Sequence, residues 1–238
     1  MNSAEHGPIY EAACLILPLV LAIVCHEMAH GLVAKLLGDP TASERGRLTF
    51  NPIAHVDPFG TVILPGLLAL SHAPVFGWAK PVPVNKWQLR DPRRDMMLVA
   101  AAGPLSNLVL ALLAVVVWGL MWRFRGHAVP GPIVAFLIEN LGNFLQINVF
   151  VALFNLLPIP PFDGSHIVEG LLPGSLAQGY ARFRRYGILV PLLIVVLLPA
   201  VFGVSVVDRF VDPPFEWLLG HYLQLAGWIA GIVPVVGP

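Results

Sequence analysis

Charged residues are scarce in this chain. Its 238 residues include 14 Lys and Arg and 14 Asp and Glu, so only 12% are charged and the formal net charge is zero. Soluble domains carry about one quarter charged residues. The composition therefore excludes an ordinary soluble domain, and the balanced charge gives no indication of a nucleic-acid partner.

Cysteine is also scarce, with only Cys14 and Cys25. They lie too far apart on one predicted helix to pair with each other, which excludes an internal disulfide framework. Both are interpreted as small apolar residues, although the position of Cys25 beside His26 leaves a thiol metal ligand as an alternative. A basic leader region is missing too, since Glu5 and Glu11 stand there, so we expect no cleaved signal peptide.

Apolar sequence is abundant. Hydrophobic residues make up 57% of the chain and the mean hydropathy is +0.76, which indicates an integral membrane protein. The apolar stretches are about Tyr10–Leu37, Thr61–Ser71, Met96–Met121, Ile133–Leu157, Gly187–Val207 and Phe215–Val236. All except the second reach the roughly 20 residues that a helical crossing needs. The second is short and contains Pro65 and Gly66, which is typical of a re-entrant segment.

These stretches predict an all-α polytopic membrane protein with one short re-entrant or extended segment, and Lys and Arg predict its orientation. With Thr61–Ser71 re-entrant, the loops Lys35–Asp95 and Arg182–Arg185 share one side and hold 11 of the 14 basic residues. By the positive-inside rule this side is cytoplasmic. We therefore predict five crossings of the cell (inner) membrane, an outside N-terminus and a cytoplasmic C-terminus.

The first apolar stretch contains the pattern His-Glu-x-x-His, at His26, Glu27 and His30. Side chains four residues apart share one helix face, so the two histidines can bind one metal ion while Glu27 projects beside them as a base. Ionisable groups are costly inside a bilayer and indicate function there. The alternative is a polar cluster that only packs helices together.

A catalytic zinc site usually has three protein ligands, so the two histidines need a third partner. Asp163 is the candidate. It follows the stretch Ile133–Leu157 in a proline-rich turn that ends a helix, and Gly164 could let the carboxylate point inward. The alternative is a solvated aspartate. The predicted topology favours the ligand, because it brings Asp163 to the cytoplasmic end of the membrane together with the histidines.

Three motifs resemble the site-2 protease family of intramembrane zinc metalloproteases. They are HEMAHG at His26–Gly31, AGPLSN at Ala102–Asn107 and NLLPIPPFDG at Asn155–Gly164. The stretches Gly46–Thr61 and Gly77–Asn85 are similar to the compact bacterial branch, which has no PDZ domain. The resemblance covers most of the chain through about His166 and is weak after Gly170.

The resemblance implies one intramembrane metalloprotease domain over 1–238, with a three-helix catalytic core over about 10–166 and peripheral helices over about 187–236. It implies that His26, His30 and Asp163 bind one Zn²⁺ per chain and that Glu27 is the general base. Asn155 would donate a hydrogen bond to the developing oxyanion or to the substrate backbone. The implied function is zinc-dependent hydrolysis of peptide bonds in or near transmembrane segments of membrane protein substrates.

Two other functions stay open: a membrane metal-ion transporter, and a non-catalytic homologue that binds client helices. A transporter predicts ionisable residues spread over several helices across the bilayer, whereas here they gather at one depth.

Several residues also have two interpretations. The segment Trp78–Asn85 could bind substrate by strand addition or be a connecting loop. His55 and Asp57 could form a second metal site, although a turn is favoured. His166 could support the metal or mark a helix start, and Asn107 is interpreted mainly as a packing residue.

Overall fold

The computed structural model describes residues 7–70, 77–125, 130–182, 187, 189–203 and 205–231. Within these ranges the protein is helical and contains no β-strand, as the sequence predicted. The α-helices are α1 (Pro8–Leu36), α2 (Thr41–Glu44), α3 (Leu64–Leu70), α4 (Arg94–Arg125), α5 (Pro132–Asn155), α6 (Asp163–Leu171), α7 (Gly174–Ala181), α8 (Leu189–Leu192), α9 (Leu198–Phe202), α10 (Val206–Phe210) and α11 (Asp212–Ala230). A 3-10 helix covers Pro52–His55, and π-helical turns cover Pro58–Ile63 and Leu193–Leu197.

Helices α1, α4 and α5 are long and apolar enough to cross a membrane. They coincide with three of the predicted stretches, because an unbroken apolar run of this length has few alternatives to a spanning helix. Large apolar side chains point outward along them, including Leu15, Leu21, Leu105, Leu113 and Leu137. Such a surface suits lipid, and the chain is a membrane protein.

The apolar stretch Gly187–Val207, predicted to cross the membrane, is helical over the shorter range Leu189 to Phe202. Here α8, a π-helical turn and α9 follow one another with 4, 5 and 5 residues, and α9 ends at Phe202. Gly203 adopts a left-handed backbone with φ of 65°, a conformation that commonly ends helices. The last predicted stretch corresponds to α11, which begins earlier, at Asp212. The number of crossings stays a prediction.

The short stretch predicted at Thr61–Ser71 forms a π-helical turn of 6 residues followed by α3 with 7 residues. This helical length is too small to cross a bilayer. Ser71 lies outside the described residues, as do Arg184 and Arg185 of the predicted cytoplasmic loop. The re-entrant path therefore stays a prediction.

Helix α4 lies at the centre of the fold and contacts α1, α5, α6 and α11. Its apolar core with α5 and α11 consists of Ala111, Ala114, Val115, Leu145, Val149 and Ala226. A Cβ atom at Gly119 would meet the Ala226 carbonyl, so small residues let α11 approach closely. This packing holds α4 in place, and another face of α4 lies against the histidines of α1.

Candidate metal centre

The structure brings His26, His30 and Asp163 together. The two histidines lie on consecutive turns of α1, and Asp163 is the first residue of α6. The His26 and His30 Nε2 atoms are 3.0 Å apart, and they lie 3.1 and 3.3 Å from Asp163 Oδ2. Both imidazoles are buried and Asp163 is half-buried. Asp163, the third ligand predicted from sequence, is thus close enough to both histidines to bind the same metal ion.

The other ring nitrogen of each histidine faces an oxygen acceptor. His26 Nδ1 lies 2.6 Å from Asn107 Oδ1, and His30 Nδ1 lies 2.7 Å from the Val99 carbonyl oxygen. A neutral imidazole carries one N–H, and these oxygens require it at Nδ1. Each Nε2 atom therefore directs a lone pair toward the other and toward the Asp163 carboxylate.

Three electron-rich atoms at this separation repel one another unless a cation lies between them. Within the described residues, the buried Asp163 Oδ2 atom has no hydrogen-bond partner. Zinc bonds of 2.0 to 2.1 Å in tetrahedral geometry place ligand atoms roughly 3.3 Å apart, close to the three distances here. The donor set and its spacing fit a zinc ion.

Asn107 connects His26 to the neighbouring helices. Its amide nitrogen donates to the Ala22 carbonyl at 3.1 Å and to Asn148 Oδ1 at 2.7 Å, which leaves Oδ1 to face His26. The Asn148 amide in turn donates to the Phe144 carbonyl at 2.8 Å. Both asparagine side chains are 0% exposed. Asn107 therefore orients His26 in addition to packing, and Asn148, which sequence reasoning missed, could have been noticed as an amide within an apolar helix.

We expect Asn107→Leu to weaken zinc binding by about 10- to 100-fold, because partners that orient a ligating histidine typically contribute this much. Zinc affinity is measured by chelator competition on the purified protein. Asn143→Leu is the matched control, since Asn143 of α5 also donates to a carbonyl of α1, that of Cys14, away from the metal cluster. Equal affinities in the two variants would contradict the orienting role.

Gly103 of α4 provides the space in which the two imidazole rings sit. A Cβ atom there would lie 2.5 Å from His30 Cε1 and Nε2 and 2.6 Å from His26 Cε1. Asn107 and Val99 belong to α4 and hydrogen-bond the two rings, so α4 cannot move away without losing those hydrogen bonds. The glycine in the AGPLSN motif is therefore a steric requirement of the site.

Gly164 also allows a close approach between two parts of the chain, next to Asp163. A Cβ atom at Gly164 would overlap the carbonyl oxygens of Leu156 and Leu157, so the start of α6 packs directly on the end of α5. The sequence suggested that this glycine gives freedom to turn. The structure shows that its role is close approach, which fixes where the Asp163 carboxylate emerges.

Glu27 and Asn155 occupy different environments. The half-buried Glu27 carboxylate accepts a hydrogen bond from the Val82 backbone N–H at 2.7 Å. The Asn155 amide donates to the Val151 carbonyl in its own helix at 2.9 Å. The substrate-facing role of Asn155 stays a prediction. Cys25 lines an apolar groove with Met28 and is not one of the three clustered ligand atoms.

The turn interpretation of His55 and Asp57 is confirmed. His55 Nε2 lies 2.9 Å from the Thr49 carbonyl oxygen, and Asp57 Oδ1 accepts the N–H groups of Phe59 and Gly60. Across the described parts of the chain, the single group of three potential metal ligands is His26, His30 and Asp163. The half-buried His166 lies three residues after Asp163, and its support of the metal stays a prediction.

Two imidazoles, a carboxylate and an adjacent glutamate gathered between apolar helices define a membrane-embedded metallopeptidase. The profile of Peptidase family M50, the site-2 protease family, matches residues 14–126 and 126–198. The chain belongs to this family. The predicted enzyme class and zinc dependence are confirmed with it, and the transporter alternative is not favoured.

Curated relatives agree with this assignment. YwhC of Bacillus subtilis, provisionally named as a zinc metalloprotease, is 40% identical over 200 residues, covering 82% of this chain and 86% of the relative. Rip2 of Mycolicibacterium smegmatis and Rip2 of Mycobacterium tuberculosis H37Rv, named in the same way, are 30% and 35% identical. These matches cover 76% and 77% of this chain but 65% and 66% of the relatives. No solved structure matches the chain.

Proposed function

We propose that this protein hydrolyses peptide bonds in or beside transmembrane segments of membrane proteins, with His26, His30 and Asp163 as zinc ligands and Glu27 as general base. The observation that carries the proposal is the convergence of two Nε2 lone pairs and one carboxylate oxygen within 3.0 to 3.3 Å. Glu27 follows His26 directly in the chain, which is the position of the general base in a His-Glu-x-x-His motif. The arrangement suits activation of a water molecule.

Different residues of the chain have different roles in the proposed hydrolysis. Zinc, when bound, polarises the scissile carbonyl and makes water more acidic. Glu27 takes a proton from the attacking water and delivers it to the leaving amine. Asn155 stands at the end of α5, where its amide could turn from Val151 toward the oxygen that gains negative charge.

The location of these residues implies the class of substrate. His26 and Glu27 lie in a helix that is long and apolar enough to span a membrane, so a peptide bond must reach them within or near the bilayer. A substrate helix must unwind locally before its carbonyl groups are accessible, since they are otherwise hydrogen-bonded. A transmembrane segment with a locally unstable helix fits both conditions.

Residues 1–238 would form one domain, with the catalytic core over about 10–166 and peripheral helices over about 187–236. We place the N-terminus outside and the metal centre near the cytoplasmic side of the cell membrane, on the basis of the Lys and Arg distribution. Labelling an N-terminal tag with an impermeant reagent in sealed vesicles of known orientation checks this. A tag that the reagent cannot label from the outer side of the membrane would contradict this orientation.

The proposed activity is tested with purified protein in lipid nanodiscs and a panel of labelled transmembrane peptides. We expect cleavage of at least one peptide, loss of cleavage when 1,10-phenanthroline removes zinc, and recovery when zinc is restored. Mass spectrometry of the products locates the cut. Proteoliposomes that transport zinc while the same zinc-loaded protein cleaves no peptide would contradict the protease function.

A further inference from the structure

The segment Gly77–Asn85 has no regular secondary structure, passes over the C-terminal half of α1 and is fixed to the protein along its length. Its backbone N–H groups at Trp78, Lys80 and Asn85 bind inward, at 3.1 Å to the Gly60 carbonyl, 2.8 Å to the His55 carbonyl and 2.6 Å to Asp39 Oδ2. The Arg47 guanidinium donates to the carbonyl oxygens of Lys80 and Pro81 at 2.9 and 3.4 Å. These hydrogen bonds therefore hold the segment in place against the rest of the protein.

Val82 lies in the middle of this segment, between Pro81 and Pro83. A residue that precedes proline is restricted to extended backbone, and Pro81 has a fixed φ angle. The Val82 side chain is buried, and a Cβ atom at Gly31 would meet its Cγ1 atom, so Val82 packs directly on α1. The direction of the Val82 N–H is thus set by the proline on each side and by burial.

This N–H donates to Glu27 Oε2 at 2.7 Å, a length typical of a hydrogen bond to a charged acceptor. The two residues are 55 positions apart in the chain. With Oε2 engaged, the orientation of the carboxylate is restrained and Oε1 is left to accept a proton. A glutamate carboxylate, which is joined to the backbone through three rotatable bonds, would otherwise sample several orientations.

We propose that Val82 is a positioning residue for the general base, acting through its backbone N–H. The segment that carries it thereby belongs to the catalytic machinery and is more than a connection between α3 and α4. This inference rests on the proposed role of Glu27. It assigns to the segment a function that does not depend on whether it also binds substrate by strand addition, which stays a prediction.

The first test compares Val82→Pro with Val82→Ala in the full-length protein in nanodiscs, using a labelled transmembrane peptide that the wild type cleaves. Val82→Pro removes the N–H at a position already held extended, whereas Val82→Ala keeps the N–H and shortens the side chain. We expect Val82→Pro to lower kcat by about 10- to 100-fold, the effect of losing a hydrogen bond to a charged group, with KM and zinc content unchanged. Val82→Ala should lower kcat less than Val82→Pro.

Equal kcat values for the two Val82 variants would overturn the inference, as would an effect of Val82→Pro on KM alone. The proposed role of Glu27 as general base has a separate test, because it fails if Glu27→Gln cleaves at the wild-type rate. The two failures are therefore distinguishable in one set of assays.

A second measurement applies even if Val82→Pro does not fold. Hydrogen exchange of the peptide that contains 77–85 is compared between Glu27→Gln and Glu27→Leu, both of which lack the base. The glutamine keeps an oxygen acceptor for the Val82 N–H and the leucine does not. We expect one amide to lose protection in Glu27→Leu only; equal protection in both variants would overturn the inference.

Discussion

Glu27→Gln is expected to abolish peptide cleavage while about one zinc per chain stays bound. Glutamine preserves the shape of the side chain and an oxygen for the Val82 N–H, but it cannot accept the proton of the attacking water. General bases typically contribute about 10²- to 10⁴-fold to the rate, so we expect a loss of at least this size. Single-turnover cleavage of a labelled transmembrane peptide measures the rate, and metal analysis measures the zinc.

Asn155→Ala is the informative companion in the same assay. If Asn155 stabilises the oxyanion, its removal lowers the cleavage rate and leaves zinc content unchanged, since its amide makes its described contact with Val151 and not with the metal cluster.

Glu27→Gln protein that retains zinc and cleaves at the wild-type rate would show that another group activates water. Loss of zinc from Glu27→Gln would show that Glu27 supports the metal site instead.

Gly103→Ala is expected to cause a comparably large loss by a different route. The added methyl group would lie about 2.5 Å from the His30 ring and 2.6 Å from the His26 ring, well inside van der Waals contact. The rings cannot retreat and still keep their hydrogen bonds to Val99 and Asn107. We therefore expect zinc content to fall well below one per chain and cleavage to be lost with it.

The matched control for Gly103→Ala is Ala102→Val. Ala102 is the preceding residue of α4 and lines an apolar groove with Leu105 and Val109, so it offers room for added methyl groups. We expect Ala102→Val to retain zinc and to unfold at a similar temperature to the wild type. Full zinc occupancy in Gly103→Ala would contradict the steric requirement, because it would show that α1 and α4 can separate at little cost.

Sequence predicts the three long helices well because their signal is local. In α1, α4 and α5 every turn carries apolar side chains, and a chain in lipid must satisfy its backbone hydrogen bonds internally. The same reasoning was less accurate for Gly187–Val207. Hydropathy does not detect the left-handed conformation of Gly203, which ends α9 inside that stretch.

The residues of the candidate site likewise fall into those that local sequence predicts and those that it does not. The spacing of His26, Glu27 and His30 places them on adjacent helix positions whatever surrounds α1. The residues that orient them could not be identified in this way: Asn107 lies 81 positions from His26, and Val82 lies 55 positions from Glu27. Hydrogen bonds over such separations depend on how α4 and the segment 77–85 pack.

The sequence alone therefore determined the three long helices and the spacing of His26, Glu27 and His30, because composition, helical periodicity and motif spacing are local properties. Asp163 was predicted from the topology and the family resemblance. The tertiary structure decided which ring nitrogen of each histidine is free, why Gly103 and Gly164 must be glycine, and which N–H holds Glu27. These depend on close approach between α1, α4, α5 and α6. Such contacts arise only when elements distant in the chain pack against one another.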